Sequence, residues 1–238
     1  MRVVNCFQGS AEWLQVRVGR ITASRIVDVL ARLKNGSEGA DRRNYRVELA
    51  AERLTGRSEE FYVSPEMQWG TENESFARAS YEIARGVMTD QLGFVIHPTM
   101  DFAGASPDSL VDEDGGLEIK CPKSTTHIKW MQAGGVPEEH QPQMLWNMAC
   151  TGRAWWDFAS YDPRLPEEIR LYVARMERDE KRIAEVEAEV VRFNAEVDFL
   201  IGSLGVKVYK PSYYTPTEKT ADEMMRELAD ELIGDIVP

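Results

Sequence analysis

Cysteine and histidine are scarce in this chain of 238 residues, with three of each. Cys6, Cys121 and Cys150 are widely spaced and form no Cys-x-x-Cys pair, so neither a disulfide framework nor a zinc or iron–sulfur site is indicated. His97, His127 and His140 lack ligand spacing and read as structural residues. Long apolar runs are missing too. No segment reaches bilayer-spanning length, and the N-terminus, MRVVNCFQGS, has no apolar signal core. Reduced thiols without a membrane segment lead us to expect a cytoplasmic protein.

Net positive charge is also lacking: the formal charge is −12. As an average this argues against DNA binding, but the distribution is uneven. Residues 1–57 carry 11 Lys+Arg against 6 Asp+Glu, whereas the remainder carries 17 against 34. Arg17, Arg20, Arg25, Arg32, Lys34, Arg42, Arg43 and Arg46 make the N-terminal quarter basic. Two readings stand: helices with solvated basic faces, or a wall that contacts phosphates. Acidity elsewhere excludes neither, because an acidic site that gathers metal ions also contributes negative charge.

What the chain does have is the stretch GASPDSLVDEDGGLEIKCPKS. Asp108 follows a turn-forming Ser-Pro, and Glu118-Ile119-Lys120 lies ten residues on. Gly116 to Cys121 reads as a strand, so Glu118 and Lys120 share a face, about 7 Å apart, with Ile119 on the other. Asp114 to Gly116 reads as a hairpin turn that returns Asp108 to Glu118. Two carboxylates and an ammonium then converge. Hard divalent cations take such oxygen ligands, and a lysine beside the ion can position or deprotonate a water. This is equipment for metal-assisted phosphodiester hydrolysis. An exposed hairpin with a surface ion pair fits the motif equally well on its own.

Along the rest of the chain, Glu12 to Val18 reads as a short helix. An apolar-periodic stretch carries Ile26, Val29, Leu30 and Leu33 on one face, with Thr22 and Ser24 as cap residues. Asn44 to Thr55 and Pro65 to Arg85 read as helices. Strands are expected at Val87–Thr89, Gly93–His97, Ala103–Ala105, Ser109–Val111 and Leu117–Lys120. Helices follow at Thr126–Ala133 and Gln141–Thr151, strands at Ala154–Tyr161 and Ile169–Ala174, and a long amphipathic helix at Glu177–Ser203. A run of strands flanked by helices indicates an α/β protein with a central mixed sheet.

Several blocks make the sequence recognisable. They are Trp13…Arg17-Val18-Gly19-Arg20-Ile21-Thr22-Ala23-Ser24, Trp69-Gly70…Glu74, Ser106-Pro107-Asp108 and Gly116-Leu117-Glu118-Ile119-Lys120-Cys121-Pro122. Gln141…Gln143, Trp156…Phe158-Ala159…Tyr161-Asp162-Pro163-Arg164 and Glu177-Arg178-Asp179-Glu180 follow in order. Together they resemble the phage λ exonuclease family: alkaline exonucleases and YqaJ-like viral recombinases of the PD-(D/E)xK superfamily. The resemblance covers roughly residues 7–200.

It implies a restriction-endonuclease-like core in a phage- or prophage-encoded enzyme of the bacterial cytoplasm. The implied activity is processive 5′-to-3′ digestion of duplex DNA from its ends by a toroidal homotrimer. Mononucleotides are released and a 3′ overhang remains for recombination. The implied cofactor is Mg²⁺, replaceable by Mn²⁺, as two ions. Asp108, Glu118 and the Ile119 carbonyl would be ligands, and Lys120 would contact or activate the attacking water. Glu74 would orient or ligate on the second-metal side, and Gln143 falls in the family's active site. Arg17, Ser24 and Ser106 match the pocket that grips the 5′-phosphate, and Met67 matches an apolar wedge at the terminal base pair. Against these stand plainer readings: a surface arginine for Arg17, a helix cap for Ser24, an exposed carboxylate for Glu74, packing for Gln143 and core for Met67. A structure-specific or restriction-like endonuclease on the same core is the alternative activity.

The nuclease unit is expected to span residues 1–204. Residues 205–238 depart from the family pattern as an acidic extension, with Thr217 to Ile233 reading as an amphipathic helix. That helix could dock on its own subunit or on a partner such as a single-strand annealing protein.

Overall fold

In a computed structural model, the described residues are 1–58 and 64–205. The strands are β1 (Arg2–Val4), β2 (Ile21–Thr22), β3 (Thr89–Asp90), β4 (Phe94–Ile96), β5 (Ala103–Ala105), β6 (Ser109–Val111), β7 (Gly115–Lys120), β8 (Trp155–Tyr161) and β9 (Leu171–Glu177). The helices are α1 (Ala11–Arg17), α2 (Ile26–Val29), α3 (Ala40–Thr55), α4 (Pro65–Arg85), α5 (Ser124–Ala133), α6 (Gln141–Thr151) and α7 (Glu180–Ser203). The expected acidic extension, apart from Gly205, lies outside the described residues.

The helices that frame the site are bounded by local chemistry. Ser64 caps α4 by accepting from Met67 N at 3.2 Å, and Pro65 occupies the first turn, where its missing N–H costs nothing. Gly56, Gly86 and Gly152 end α3, α4 and α6 in the left-handed conformation that glycine adopts without strain. Asp179 caps α7 by accepting from Arg182 N at 3.1 Å.

The strands form two sheets rather than one. The first has the order β1-β4-β5-β2 and the second β3-β6-β7-β8-β9. In the second, β6 and β7 are antiparallel with Ser109 opposite Leu117, β7 and β8 are parallel, and β9 closes the edge antiparallel to β8. Helix α4 covers one face, where Ala77 and Tyr81 pack with Leu117, Ile119 and Ala159. On the other face lies α6, whose residues Met144 to Cys150 are all buried against Trp156, Phe158 and α7.

Two local expectations are corrected. The apolar stretch after Thr22 does not continue as a helix to Leu33. After a 3₁₀ turn at Ala23–Arg25, α2 ends at Val29, and Leu33 is 54% exposed. The hairpin turn is Asp112–Asp114, with Asp112 at φ 47°, and not Asp114–Gly116. Gly115 and Gly116 are strand residues, because a Cβ on either would collide with the indole of Trp155 or Trp156 on β8.

Several arginines of the basic N-terminal quarter are held inside the fold against α7, whereas Arg17 reaches Ser106 and Lys34 and Arg43 are exposed. Arg42 is fully buried, with Nη2 2.8 Å from Glu196 Oε1, and also donates to the Val29 carbonyl. Arg46 lies 3.0 Å from Glu196 Oε2, Arg53 lies 3.0 Å from Asp198, and Arg32 lies 3.0 Å from Glu189. Arg25 grips Glu48 through two bonds of 2.6 and 2.9 Å. These contacts clamp α3 and the α2 region onto α7.

The glycine–indole packing yields a stability prediction. Gly116→Ala should lower unfolding free energy by about 1–3 kcal/mol through overpacking. Gly202→Ala, with nothing within 4 Å of its Cβ, should be neutral or mildly stabilising. Urea midpoints that do not separate the two variants would show that Gly116 is free to accept a side chain.

Candidate active site

The β6–β7 hairpin assembles the acidic centre. Asp108 stands just before β6, and its Oδ2 accepts from Ile119 N on β7 at 2.6 Å. That bond fastens the carboxylate beside Glu118. Ile119 turns away to pack under α4, as the strand alternation predicts. Glu118 faces α6 and is fully buried. Its Oε1 pairs with the Lys120 ammonium, and its Oε2 accepts from Asn147 Nδ2 at 3.2 Å.

Glu74 reaches the same cleft from α4. It pairs with Arg78 one turn on. Arg78 in turn donates to Ser109 Oγ at 2.8 Å and to the Asp108 carbonyl at 3.3 Å. The arginine therefore braces α4 against the start of β6. The cleft, about 370 Å³, is lined by Met67, Gly70, Glu74, Asp108, Lys120 and Trp130 among others. Met67 is 54% exposed at its edge, which removes the core reading of that residue.

The electrostatics follow from this crowding. Burial, and then the charge of Glu118, push the Asp108 carboxyl well above the usual carboxylate range, and Glu74 adds to the effect. Burial opposes the Lys120 charge, but Glu118 and Asp108 outweigh it and hold the ammonium above its ordinary pKa. Burial pushes the Cys121 thiol up to about 12, so it is no nucleophile. His140, stacked on Phe158 with centroids 5.2 Å apart, is pushed down to about 4 by burial and by the Lys120 charge. It stays neutral beside the site.

Could such a centre hold a divalent cation? Among the described residues no three His, Cys, Asp or Glu side chains converge as a ready cage. Mg²⁺ asks for less: one or two carboxylates, with water filling the other positions. Asp108 and Glu118 are hard oxygen donors, and a cation beside them would offset the burial and mutual repulsion that raise the Asp108 pKa. The donor set fits.

A second cluster lies next to the first along the chain. Ser106, two residues before Asp108, accepts from Arg17 Nη1 at 3.1 Å and from Trp13 Nε1 at 2.9 Å. The Arg17 guanidinium lies 4.2 Å from the centre of the Trp13 ring. Burial pulls the Arg17 pKa below the ordinary arginine value, although Tyr45 and Glu52 oppose this. Gln8 Nε2 ties the segment down by donating to the Pro107 carbonyl at 2.8 Å. Ser24 does not join these bonds. It is exposed in the 3₁₀ turn, its Oγ 3.5 Å from Thr22 Oγ1. Two residues before it, Thr22 of β2 pairs with Gly104 of β5, which precedes Ser106 by two residues. Gln143 stands half-buried in the first turn of α6, one turn before Asn147.

Sequence reasoning passed over Arg78, Asn147 and Trp13 as site residues. Arg78 sits at i+4 from Glu74, a spacing that already permits an ion pair on a helix. Asn147 is the one amide within the apolar run Met144 to Cys150.

Comparison with known proteins places this geometry. The YqaJ-like viral recombinase domain matches residues 12–154. An alkaline exonuclease from Laribacter hongkongensis, LHK-Exo, is 44% identical with a TM-score of 0.77, covering 82% of this chain and 96% of that one. Its complex with dAMP matches at 45% identity and a TM-score of 0.76, with the same coverage. A phage related exonuclease from Haemophilus somnus 129PT shares the fold at 16% identity and a TM-score of 0.62, covering 78% of this chain and 96% of that one. No curated protein sequence matches significantly. The α/β architecture is the restriction-endonuclease-like fold expected from the resemblance. By the extent of these matches, the chain belongs to the YqaJ-like viral recombinase domain family.

Proposed function

We propose that this protein is a metal-dependent exonuclease that digests duplex DNA from its 5′ ends, releases 5′-mononucleotides and leaves a 3′ single strand for recombination. The observation that carries the reading is the meeting of Asp108, Lys120 and Glu74 at one cleft, with the buried Glu118 carboxylate paired to Lys120 just behind it. It occurs in a chain 44% identical to an alkaline exonuclease. The dAMP complex of that relative supports a site sized for one nucleotide.

In this reading Asp108 and Glu118, with the Ile119 carbonyl, hold Mg²⁺ or Mn²⁺. Such an ion supplies Lewis acidity at a phosphoryl oxygen and lowers the pKa of coordinated water. The chain's own residues do the rest. Lys120, as an ammonium, has three donors and no lone pair, so it orients the attacking water and offsets developing negative charge. Glu74 accepts from water on the far side of the cleft, held in place by Arg78. Gln143 lies one turn above the carboxylate contact and offers an amide to the scissile strand.

Arg17 and Ser106, with Ser24 nearby, form the stop that recognises a terminal 5′-phosphate. A guanidinium half-buried on an indole, bonded to a hydroxyl and, among the described residues, to no carboxylate at hydrogen-bond distance, is suited to a dianion. Met67, exposed at the cleft edge, is placed to lean on the terminal base pair. A homotrimeric ring around the product, a single-strand annealing partner and action in the cytoplasm complete the proposal.

Three outcomes are expected. With Mg²⁺, linear duplex should be digested while covalently closed circles survive, and Asp108→Ala, Glu118→Ala or Lys120→Ala should abolish release of mononucleotides. Cutting of closed circles would favour the endonuclease reading instead.

The second concerns the strained carboxylate. Because the folded pKa of Asp108 is raised, its stabilising contribution is complete below the unfolded value of about 3.9 and is lost as pH rises through the folded value. Asp108→Asn should therefore raise the melting temperature of the metal-free protein at neutral pH, with the gain vanishing in acid. Mn²⁺ should stabilise the wild type and not the variant. An unchanged or lower melting temperature for the variant would contradict this account.

The third concerns the end. Arg17→Ala should slow digestion of 5′-phosphorylated ends more than of 5′-hydroxyl ends, by the equivalent of about 1.5–3 kcal/mol for a hydrogen bond to a charged group. Equal losses on both ends would remove Arg17 from phosphate recognition.

A further inference from the structure

Asn147 sits within a buried, otherwise apolar run of α6. It lies within α6 between Met144, Leu145 and Trp146 on one side and Met148, Ala149 and Cys150 on the other, and all seven residues are buried. Its Nδ2 donates to Glu118 Oε2 at 3.2 Å. Its Oδ1 is buried with no hydrogen-bond partner among the described residues. The amide orientation is dictated by chemistry, since the opposite one would set two oxygens against each other. An unpaired buried acceptor costs stability, and an aliphatic side chain of similar size would avoid that cost. Packing therefore gives no reason for an amide here, whereas the carboxylate does.

We infer that Asn147 is a positioning residue that holds Glu118 in its ligating orientation; the inference rests on the nuclease reading above. Glu118 is gripped at both oxygens, Oε1 by Lys120 and Oε2 by Asn147. The two grips differ in kind. Lys120 is half-exposed at the cleft, and its charge opposes that of an incoming cation. Asn147 is fully buried, neutral and fixed to a helix packed on all sides. It can keep Oε2 in place while Oε1 exchanges its partner, and it does so without neutralising the carboxylate. A cationic residue at this position would compete with the metal, and an acidic one would repel Glu118.

The test uses the full chain and Mn²⁺ as the probe, with calorimetric binding and steady-state digestion of 5′-phosphorylated duplex. Asn147→Leu removes the unpaired Oδ1 but leaves Glu118 Oε2 without its partner, so the two effects on stability oppose each other. The variant should bind Mn²⁺ about 10- to 100-fold more weakly, as is typical when a group orienting a metal ligand is lost, and lower kcat with KM for DNA unchanged. A merely structural role would move stability and leave Mn²⁺ affinity and kcat in place. Tyr81→Phe, which removes a buried 2.9 Å bond to Asp157 on the other face of the sheet, should show that pattern as a control. If Asn147→Leu fails to fold, Asn147→Ser, whose shorter hydroxyl cannot reach Glu118, must show the same losses. Wild-type Mn²⁺ affinity and kcat in a folded variant would overturn the inference while leaving the nuclease reading intact. A wild-type protein that neither binds Mn²⁺ nor hydrolyses DNA would overturn both.

Discussion

The complete burial of the Glu118 carboxylate on a central strand is the constraint around which the rest of this molecule is arranged. A lone ionised carboxylate in an apolar interior is prohibitively costly, so it has to be paired and hydrogen-bonded. Lys120 supplies the charge and Asn147 the second bond. Asp108 then adds a further acid that feels the Glu118 charge, held by the Ile119 N–H. Burial, and then the charge of Glu118, leave Asp108 reluctant to ionise. A fold selected for stability alone would not keep it. The strain points to a positively charged occupant, which is the physical content of the nuclease proposal.

Such a site demands a rigid frame, and the frame is built largely from arginine. Arg42, Arg46 and Arg53 of α3 reach across to carboxylates of α7, and Arg25 joins α2 to α3. Arg42 stacks its guanidinium 5.0 Å from the Phe193 ring centre while bonding Glu196. Planar, always charged and multiply donating, guanidinium suits such half-buried pairs better than an ammonium. Helix α6 lies between this layer and the second sheet. Its position is thus fixed from both sides, and with it the position of Asn147.

Much of this was legible in the sequence, and the parts that were not share a cause. Helix α4 and strands β5 and β6 fall where propensity and alternation put them, because their signals are local: Ser-Pro at the start of the helix, glycine after its end, and short runs bounded by turn residues in the strands. The Asp108…Glu118-x-Lys120 constellation was legible for the same reason, since the strand period places two of its members on one face. What failed depends on distant partners. The Gly115–Gly116 pair looks like a turn until the indoles of Trp155 and Trp156 are laid against it. Strand β1 carries little signal, and it exists because Arg2, Val3 and Val4 pair with Ile96, Val95 and Phe94. That Arg46 and Arg53 of the basic quarter are held by carboxylates was not legible, because Glu196 and Asp198 lie some 150 residues away. Ser24 was grouped with Arg17 and Ser106 by resemblance, whereas only Arg17 and Ser106 are in direct contact.

The last step concerns how the two clusters are coupled. Ser106 and Asp108 belong to one short segment, separated by Pro107. Two residues of extended chain span about 7 Å. Proline restricts the segment, Gln8 holds the Pro107 carbonyl at 2.8 Å, and Asp108 is tied to β7 at 2.6 Å. The distance from the Arg17–Ser106 contact to the acidic centre is therefore set by covalent geometry rather than by loop packing. In the proposed reading, a terminal phosphate held at the first cluster would deliver the adjacent phosphodiester to the second. Cutting one nucleotide at a time would then follow from the length of a tripeptide. Sequence readout would be unnecessary, because phosphates carry register but no base information.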